Sequence, residues 1–369
     1  MIEPAYPAAR VAAMRVHSQY AAHPNTFLPD VESIEEILGV AFWTSLRREE
    51  IYTPRLSLAF AAPTQVERPL IFDRPVPLAS QPLTRLAPAV ERPGIHLCVW
   101  RREGDLTVWG ATDSLPEFSF VLEIIAPGLL VLKQSRGDES GKFVNIAVLE
   151  GEEVKVIDQR AATVQDCPEL LTSLMGLQSE PLYPASINVL LQLAVSMRAH
   201  ARGGSLLVVP AETTVWLESI LQPVTYGVAP AFRSLVHLMS ADPGERTRRS
   251  WQDALSRVIN EVAGLTAVDG ATILTDQYEL LAFGAKIARR HGHERVDRVI
   301  VTAPIEGAVG EIAEPGQLGG TRHLSAAQFA HDQKDAIALV ASQDGRFTVF
   351  GWSPCENLVH AHRIETLLL

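Results

Sequence analysis

Six short apolar runs crowd the stretch from Ile95 to Asp158: Ile95–Trp100, Leu106–Trp109, Phe118–Ile125, Leu129–Leu132, Phe143–Leu149 and Val154–Ile157. Turn sequences part them, among them Glu103-Gly104-Asp105, Pro127-Gly128, Arg136-Gly137-Asp138 and Glu150-Gly151-Glu152. Runs this short, joined by links too tight for a helical crossover, must pair with their chain neighbours, so the region reads as a largely antiparallel β unit. Ahead of it, Asp30 caps a helix over residues 30–48 with Ile34, Ile37, Leu38, Phe42 and Leu46 at helical spacing, and Leu56–Ala61 reads as a buried strand. Residues 1–30 read as an irregular arm. Residues 62–94 carry Pro63, Pro69, Pro75, Pro77, Pro82, Pro88 and Pro93 and are expected to hold no long regular element.

The texture changes after residue 185. Helices are predicted over Ile187–Arg202, Arg248–Val262 and Ser325–Asp332. Strands are predicted at Ser205–Val209, Leu265–Leu274, Glu279–Phe283, Val296–Thr302, Ala336–Ala341 and Phe347–Phe350. The expected fold class is therefore α/β (α+β), a C-terminal mixed sheet flanked by helices after a β-rich N-terminal unit. The boundaries read as 1–160 for a helix plus β-rich domain, 161–184 for a linker with a short helix, and 185–369 for the second domain. The halves also echo each other. Gly104–Gly110 resembles Gly345–Gly351, and the helix-then-strand at 34–61 resembles that at 187–209, as diverged copies of one unit would.

A net charge of −11, from 43 acidic and 32 basic residues, argues against coating of DNA, though not against a local basic pocket. The mean hydropathy of +0.10 reflects a filled core. No apolar run is long enough to span a membrane, and the acidic start Met1-Ile2-Glu3-Pro4 lacks the pattern of an export signal. Cys98, Cys167 and Cys355 form no metal or CxxC spacing and read as small core residues with free thiols. A cytoplasmic protein is expected.

Two stretches could carry chemistry. In Val268-Asp269-Gly270-Ala271-Thr272-Ile273-Leu274 a carboxylate precedes two small residues at a strand start. Gly270 and Ala271 leave room for a ligand near the backbone, and Asp269 could hold Mg²⁺ or Mn²⁺ or accept a proton from a ribose hydroxyl. In Gly319-Gly320-Thr321-Arg322-His323-Leu324-Ser325 a glycine loop leads into a helix. Free amides, the helix dipole, the Thr321 and Ser325 hydroxyls, the Arg322 fork and the His323 imidazole would together suit an anion. Each stretch also has a plain reading, a turn in one case and a capped helix in the other. Arg289-Arg290-His291-Gly292-His293-Glu294-Arg295 reads as a solvated basic loop, because two histidines without a third ligand make no metal site.

Taken together, a DGA strand, a Thr-Arg-His helix start and a following hairpin resemble the diadenylate cyclase (DAC) family, which carries a DGA motif and an RHR motif within a GTRHR-type stretch. The resemblance covers residues 185–351. It implies an ATP-binding α/β domain in which Asp269 works with the metal and the attacking 3′-hydroxyl. It also implies that Gly320, Thr321, Arg322, His323 and Ser325 grip phosphate, and that two subunits face each other. The sequence departs from the pattern in two places. Leu324 stands where the family has its second Arg, and Ser342-Gln343-Asp344 replaces a Ser-Glu-Glu-type turn. Loss of these polar groups points to a DAC-derived sensor with an N-terminal extension, binding ATP or a nucleotide second messenger. The alternatives are an active cyclase converting two ATP to cyclic di-AMP and pyrophosphate, and a scaffold with a decayed pocket.

Overall fold

The computed structural model describes residues 3–20, 28–48, 52–135, 143–157, 188–246 and 248–369. The linker expected at 161–184 and Cys167 lie outside them. The chain divides into two compact units, Met1–Ile157 with Leu369, and Asp158–Leu368.

In the first unit, α1 (Pro7–Tyr20), α2 (Val31–Leu46) and α3 (Ser80–Val90) accompany β1 (Leu56–Phe60), β2 (Leu70–Pro77), β3 (His96–Arg102), β4 (Asp105–Thr112), β5 (Phe120–Ala126), β6 (Leu129–Ser135), β7 (Phe143–Glu150) and β8 (Glu153–Val156). The sheet order is β2-β4-β3-β1-β5-β6-β7-β8. Every neighbouring pair is antiparallel except β1 and β3. All three helices bury their apolar faces on one side of this sheet, with Ala12, Val16, Ile34, Leu38, Leu83 and Ala87 against Leu58, Val99, Val108, Leu122 and Leu132. The opposite face holds a smaller cluster of Ala61, Val66, Cys98 and Trp109.

Two expectations fail here. Residues 7–20 are not an arm but a helix, because Pro7 occupies the first turn, where no amide partner is needed, and Ala8, Ala9, Ala12, Ala13 and Val16 supply a thin apolar stripe. The proline-dense stretch does hold regular elements. Pro75 and Pro77 sit in edge strand β2, which is open on one side, and Pro82 sits in the first turn of α3; Pro88 lies inside α3, two residues from its end, and forfeits one helical hydrogen bond.

The second unit contains α4 (Val189–Ala199), α5 (Arg249–Leu265) and α6 (Thr321–Asp332) around β9 (Gly204–Val209), β10 (Tyr226–Phe232), β11 (Ala271–Thr275), β12 (Leu280–Ala285), β13 (Val299–Thr302), β14 (Glu311–Ala313), β15 (Ile337–Ala341), β16 (Phe347–Ser353) and β17 (Leu358–Arg363). The order is β10-β12-β11-β9-β15-β16-β17-β13-β14. Alternation along β9 sends Leu206 and Val208 to a core with α4 and α5, and Leu207 and Val209 to a second core with α6. The mixed α/β fold with a β-rich first unit is thus as the sequence predicts. Cys98 is a core residue, its thiol pushed up to about 12 by burial, whereas Cys355 is exposed on the turn between β16 and β17.

The echo between halves is topological. β1, β3, β4, β2, β5, β6 and β7 pair in the same order and sense as β9, β11, β12, β10, β15, β16 and β17. The α2–β1 and α4–β9 likeness falls on equivalent elements. The likeness of Gly104–Gly110 to Gly345–Gly351 does not, since β4 corresponds to β12 and β16 to β6.

Candidate anion-binding cleft

Strand register brings four chain segments to one end of the nine-stranded sheet. Ser205 lies beside Ala271 on parallel β9 and β11, Ala341 beside Gly204 on antiparallel β15 and β9, and Ala285 beside Ala271 on β12 and β11. Gly203 therefore precedes its strand, Asp269 and Gly270 precede theirs, and Lys286 and Gln343 follow theirs, all at the same sheet end.

Asp269 is 87% exposed, and its carboxylate accepts a hydrogen bond from Lys286 Nζ at 2.6 Å. That ammonium holds the carboxyl below its ordinary range, with a smaller contribution from the Arg322 guanidinium. Arg322 reaches the same sheet end from the first turn of α6. A methyl group built on Gly203 would lie 3.0 Å from Arg322 Nη1 and 3.4 Å from Gln343 Cγ. Gln343 itself donates to the Arg202 carbonyl at 3.4 Å. Arg322 is half-buried and, among the described residues, has no carboxylate partner within ion-pair distance.

Helix α6 starts four residues earlier than Ser325. Gly320 is its N-cap and offers no side-chain acceptor, so Thr321 and Arg322 lie in the first turn with amides that have no partner inside the helix. Thr321 is exposed there. His323 turns the other way. It is 3% exposed, packs edge-on to Phe350 with centroids 6.0 Å apart, and burial pushes its imidazole down. Its Nε2 has no hydrogen-bond partner among the described residues. Gly319 makes this possible, since a methyl there would sit 2.3 Å from His323 Nδ1. The structure therefore assigns His323 a place beneath the helix start, where it fixes the turn that presents Arg322.

Ser325 and Leu324 line a neighbouring cavity of about 240 Å³ with Ile287, Ala288, Arg289, Arg295 and Gln328. Gly270 has a different use from the one its small size suggests. Its φ is +121°, and a methyl there would come within 2.4 Å of the Gly284 carbonyl carbon. The room is taken by β12 of the same chain, not left for a ligand. Ala271 is buried in the sheet.

Lys286, Arg289, Arg295 and Gly203 escape motif reading. Hairpin counting outward from Asp276-Gln277 sets Gly284 opposite Asp269; two register shifts between β11 and β12 move the pairing and bring Lys286 there instead. The basic run from Arg289 to Arg295 was visible, but its placement against α6 is a tertiary fact.

Among the described residues no helix is long and apolar enough to cross a membrane. Residues 23–113, from just before α2 through β4, match the profile of a family described as a probable sensor domain, DACNV. No curated protein matches the chain. The family match lies in the first unit rather than in residues 185–351, and it supports a sensor role for the chain.

Proposed function

We propose that the second unit binds the phosphates of ATP or a related nucleotide messenger at the sheet end beside α6, and that the protein acts as a nucleotide sensor. The observation that carries this reading is the half-buried Arg322 guanidinium, without an acidic partner among the described residues, beside the open amides of its own helix start and the Asp269–Lys286 pair. A guanidinium and free first-turn amides offer an anion a bidentate fork and oriented dipoles. Arg289 and Arg295 add positive charge one turn along, next to Ser325.

Three features favour binding over turnover. Lys286 occupies the carboxylate that an attacking 3′-hydroxyl would need as proton acceptor, and an ammonium partner makes that carboxylate a poorer base. Leu324 lines the cavity where the resembling family has a cation. Gln343 gives an amide where that family has an acid. Asp269 is a single exposed carboxylate, so Mg²⁺ or Mn²⁺ would be held by Asp269 together with nucleotide phosphates, in exchange for Lys286; bound there, it would neutralise phosphate charge. The enzyme reading, an active diadenylate cyclase, keeps Asp269 as its base and pairs two copies of the chain face to face.

The test is titration of purified protein with ATP, with and without Mn²⁺, together with product mass analysis. The sensor reading expects saturable binding with the nucleotide intact. Arg322→Ala should weaken binding by about 1.5 to 3 kcal/mol, and Asp269→Asn should weaken it only when metal is present. Steady formation of cyclic di-AMP by wild type, raised in Leu324→Arg, would replace sensing by catalysis. Absence of binding in every arm would leave the scaffold reading. Light scattering with and without nucleotide reports whether two copies pair.

A further inference from the structure

A second cluster lies at the far end of α6. His331 and Asp332 form its last turn, and His293 comes from the loop after β12. His331 Nδ1 is 3.1 Å and His293 Nδ1 3.2 Å from the same oxygen, Asp332 Oδ1. One ligand atom from each of the three residues lies within 4.8 Å of the other two. The Asp332 side chain is fully buried, while those of His293 and His331 are 31% and 27% exposed, so the cluster opens to solvent on its histidine side.

The geometry points to a site for a divalent transition-metal ion, of the zinc class, ligated by His293 Nδ1, His331 Nδ1 and Asp332 Oδ1 with a fourth position open to water. Hydrogen-bond counting makes the first argument. A carboxylate oxygen offers about two acceptor directions, yet Asp332 Oδ1 faces three nitrogens, the third being Gln328 Nε2 at 3.0 Å. A cation between the imidazoles and the oxygen leaves Oδ1 with two partners, the ion and Gln328. Spacing makes the second. Zinc–nitrogen and zinc–oxygen bonds near about 2.0–2.1 Å set the edge of a tetrahedron at about 3.3–3.4 Å, close to the separations found.

The surroundings hold the ligands in place before any ion arrives. Asp332 Oδ2 accepts from the Arg290 amide at 2.8 Å. Gln328 accepts from the Val296 amide and donates to the Glu294 carbonyl, each at 3.0 Å, gripping the loop on the other side of His293. Arg290 is neutralised by Glu218 at 2.7 Å, which limits repulsion of a cation. Such second contacts are what fix ligand orientation in metal centres.

The experiment is titration of chelator-treated full-length protein with Co²⁺, read by its visible d–d absorption, followed by displacement with Zn²⁺. The expected result is one Co²⁺ per chain with the intense bands of a low-coordinate site, displaced by stoichiometric Zn²⁺. His293→Ala, on the loop, and His331→Gln, on the helix, should each weaken Co²⁺ binding at least about tenfold. His237→Gln, an exposed histidine elsewhere, should leave it unchanged. Absence of a saturable band in wild type, or wild-type affinity in either ligand variant, would overturn the proposal. So would an equal loss in His237→Gln. Asp332 is left intact because it also anchors the Arg290 amide.

Discussion

The two units run the same strand path and differ in what is inserted into it. In the first, β4 passes to β5 through residues 113–119; in the second, β12 passes to β15 through residues 286–336, which include β13, β14 and α6. Among the described residues, the first sheet carries helices on one face, and the second carries them on both. The candidate cleft belongs to the added layer, because Arg322, Leu324 and Ser325 all ride on α6. The strand starts differ too. Gly94, with φ +84°, precedes β3 much as Gly270 precedes β11, but the residue before it is Pro93 rather than an acid. A shared sheet thus gives a framework, and the chemistry depends on what is hung on it.

The comparison breaks most sharply at those two glycines. Gly270→Ala should destabilise the β11–β12 pair by about 3 to 5 kcal/mol, since the methyl meets the Gly284 backbone and the φ is unfavourable. Gly94→Ala, with nothing within 4 Å of its methyl, should cost the first unit only about 1 kcal/mol of backbone strain. Amide exchange in the intact chain, followed separately in β3–β4 and β11–β12, measures both. Similar losses at the two sites would sink the argument from crowding.

Acid should treat the units alike at first and differently later. Each buries a histidine against a hydroxyl: His96 Nδ1 with Ser57 Oγ at 2.7 Å, and His362 Nδ1 with Thr302 Oγ1 at 2.6 Å. Burial lowers His96 to about 4 and His362 to about 3. Unfolded chains take up these protons near pH 6.5, so the stability is whole above that pH and falls as pH drops through the window. At pH 5 each histidine should cost its unit about 2 kcal/mol. The His96 loss should level off near pH 4, while the His362 loss continues toward pH 3. Urea unfolding between pH 7 and 3.5, read by exchange in each unit, tests this, and His96→Gln should flatten the first unit's profile alone.

The smallest effect sharpens the likeness instead. Asp30 caps α2 by accepting from the Ser33 amide at 2.7 Å, and Asn188 caps α4 by accepting from the Leu191 amide at 3.0 Å. Alanine at either position should cost about 1 kcal/mol. Only the Asp30 contribution should fade in acid, because the Ser33 amide holds that carboxyl below its usual range and protonation removes the acceptor's charge. A pH series of the two variants against wild type distinguishes the caps.

Periodicity and turn residues carried most of this fold in plain view. Ile34, Ile37 and Leu38 marked α2, and the turns around Gly104, Gly128 and Gly151 marked the hairpins, since each signal is local. Helix α1 was harder to read because alanine stripes have little hydrophobic contrast, and β2 because edge strands tolerate proline. In the cleft, Asp269 and Arg322 stood out as residue types beside glycines. Lys286, the inward turn of His323 and the use of Gly270 as a strand contact were illegible, because each depends on which strand lies alongside. The partners of His293 were hidden for the same reason, lying some forty residues away along the chain.

The Asp269–Lys286 pair has a consequence for how affinity would respond to ionic strength. Lys286 already carries a counterion from its own chain, so phosphate arriving there would displace a carboxylate rather than a mobile solution ion. Arg322, with no such companion among the described residues, would shed screening ions when phosphate takes their place. The salt sensitivity of binding would therefore count the helix cation and pass over the strand one, and removing the Asp269 charge would make the affinity more sensitive to salt.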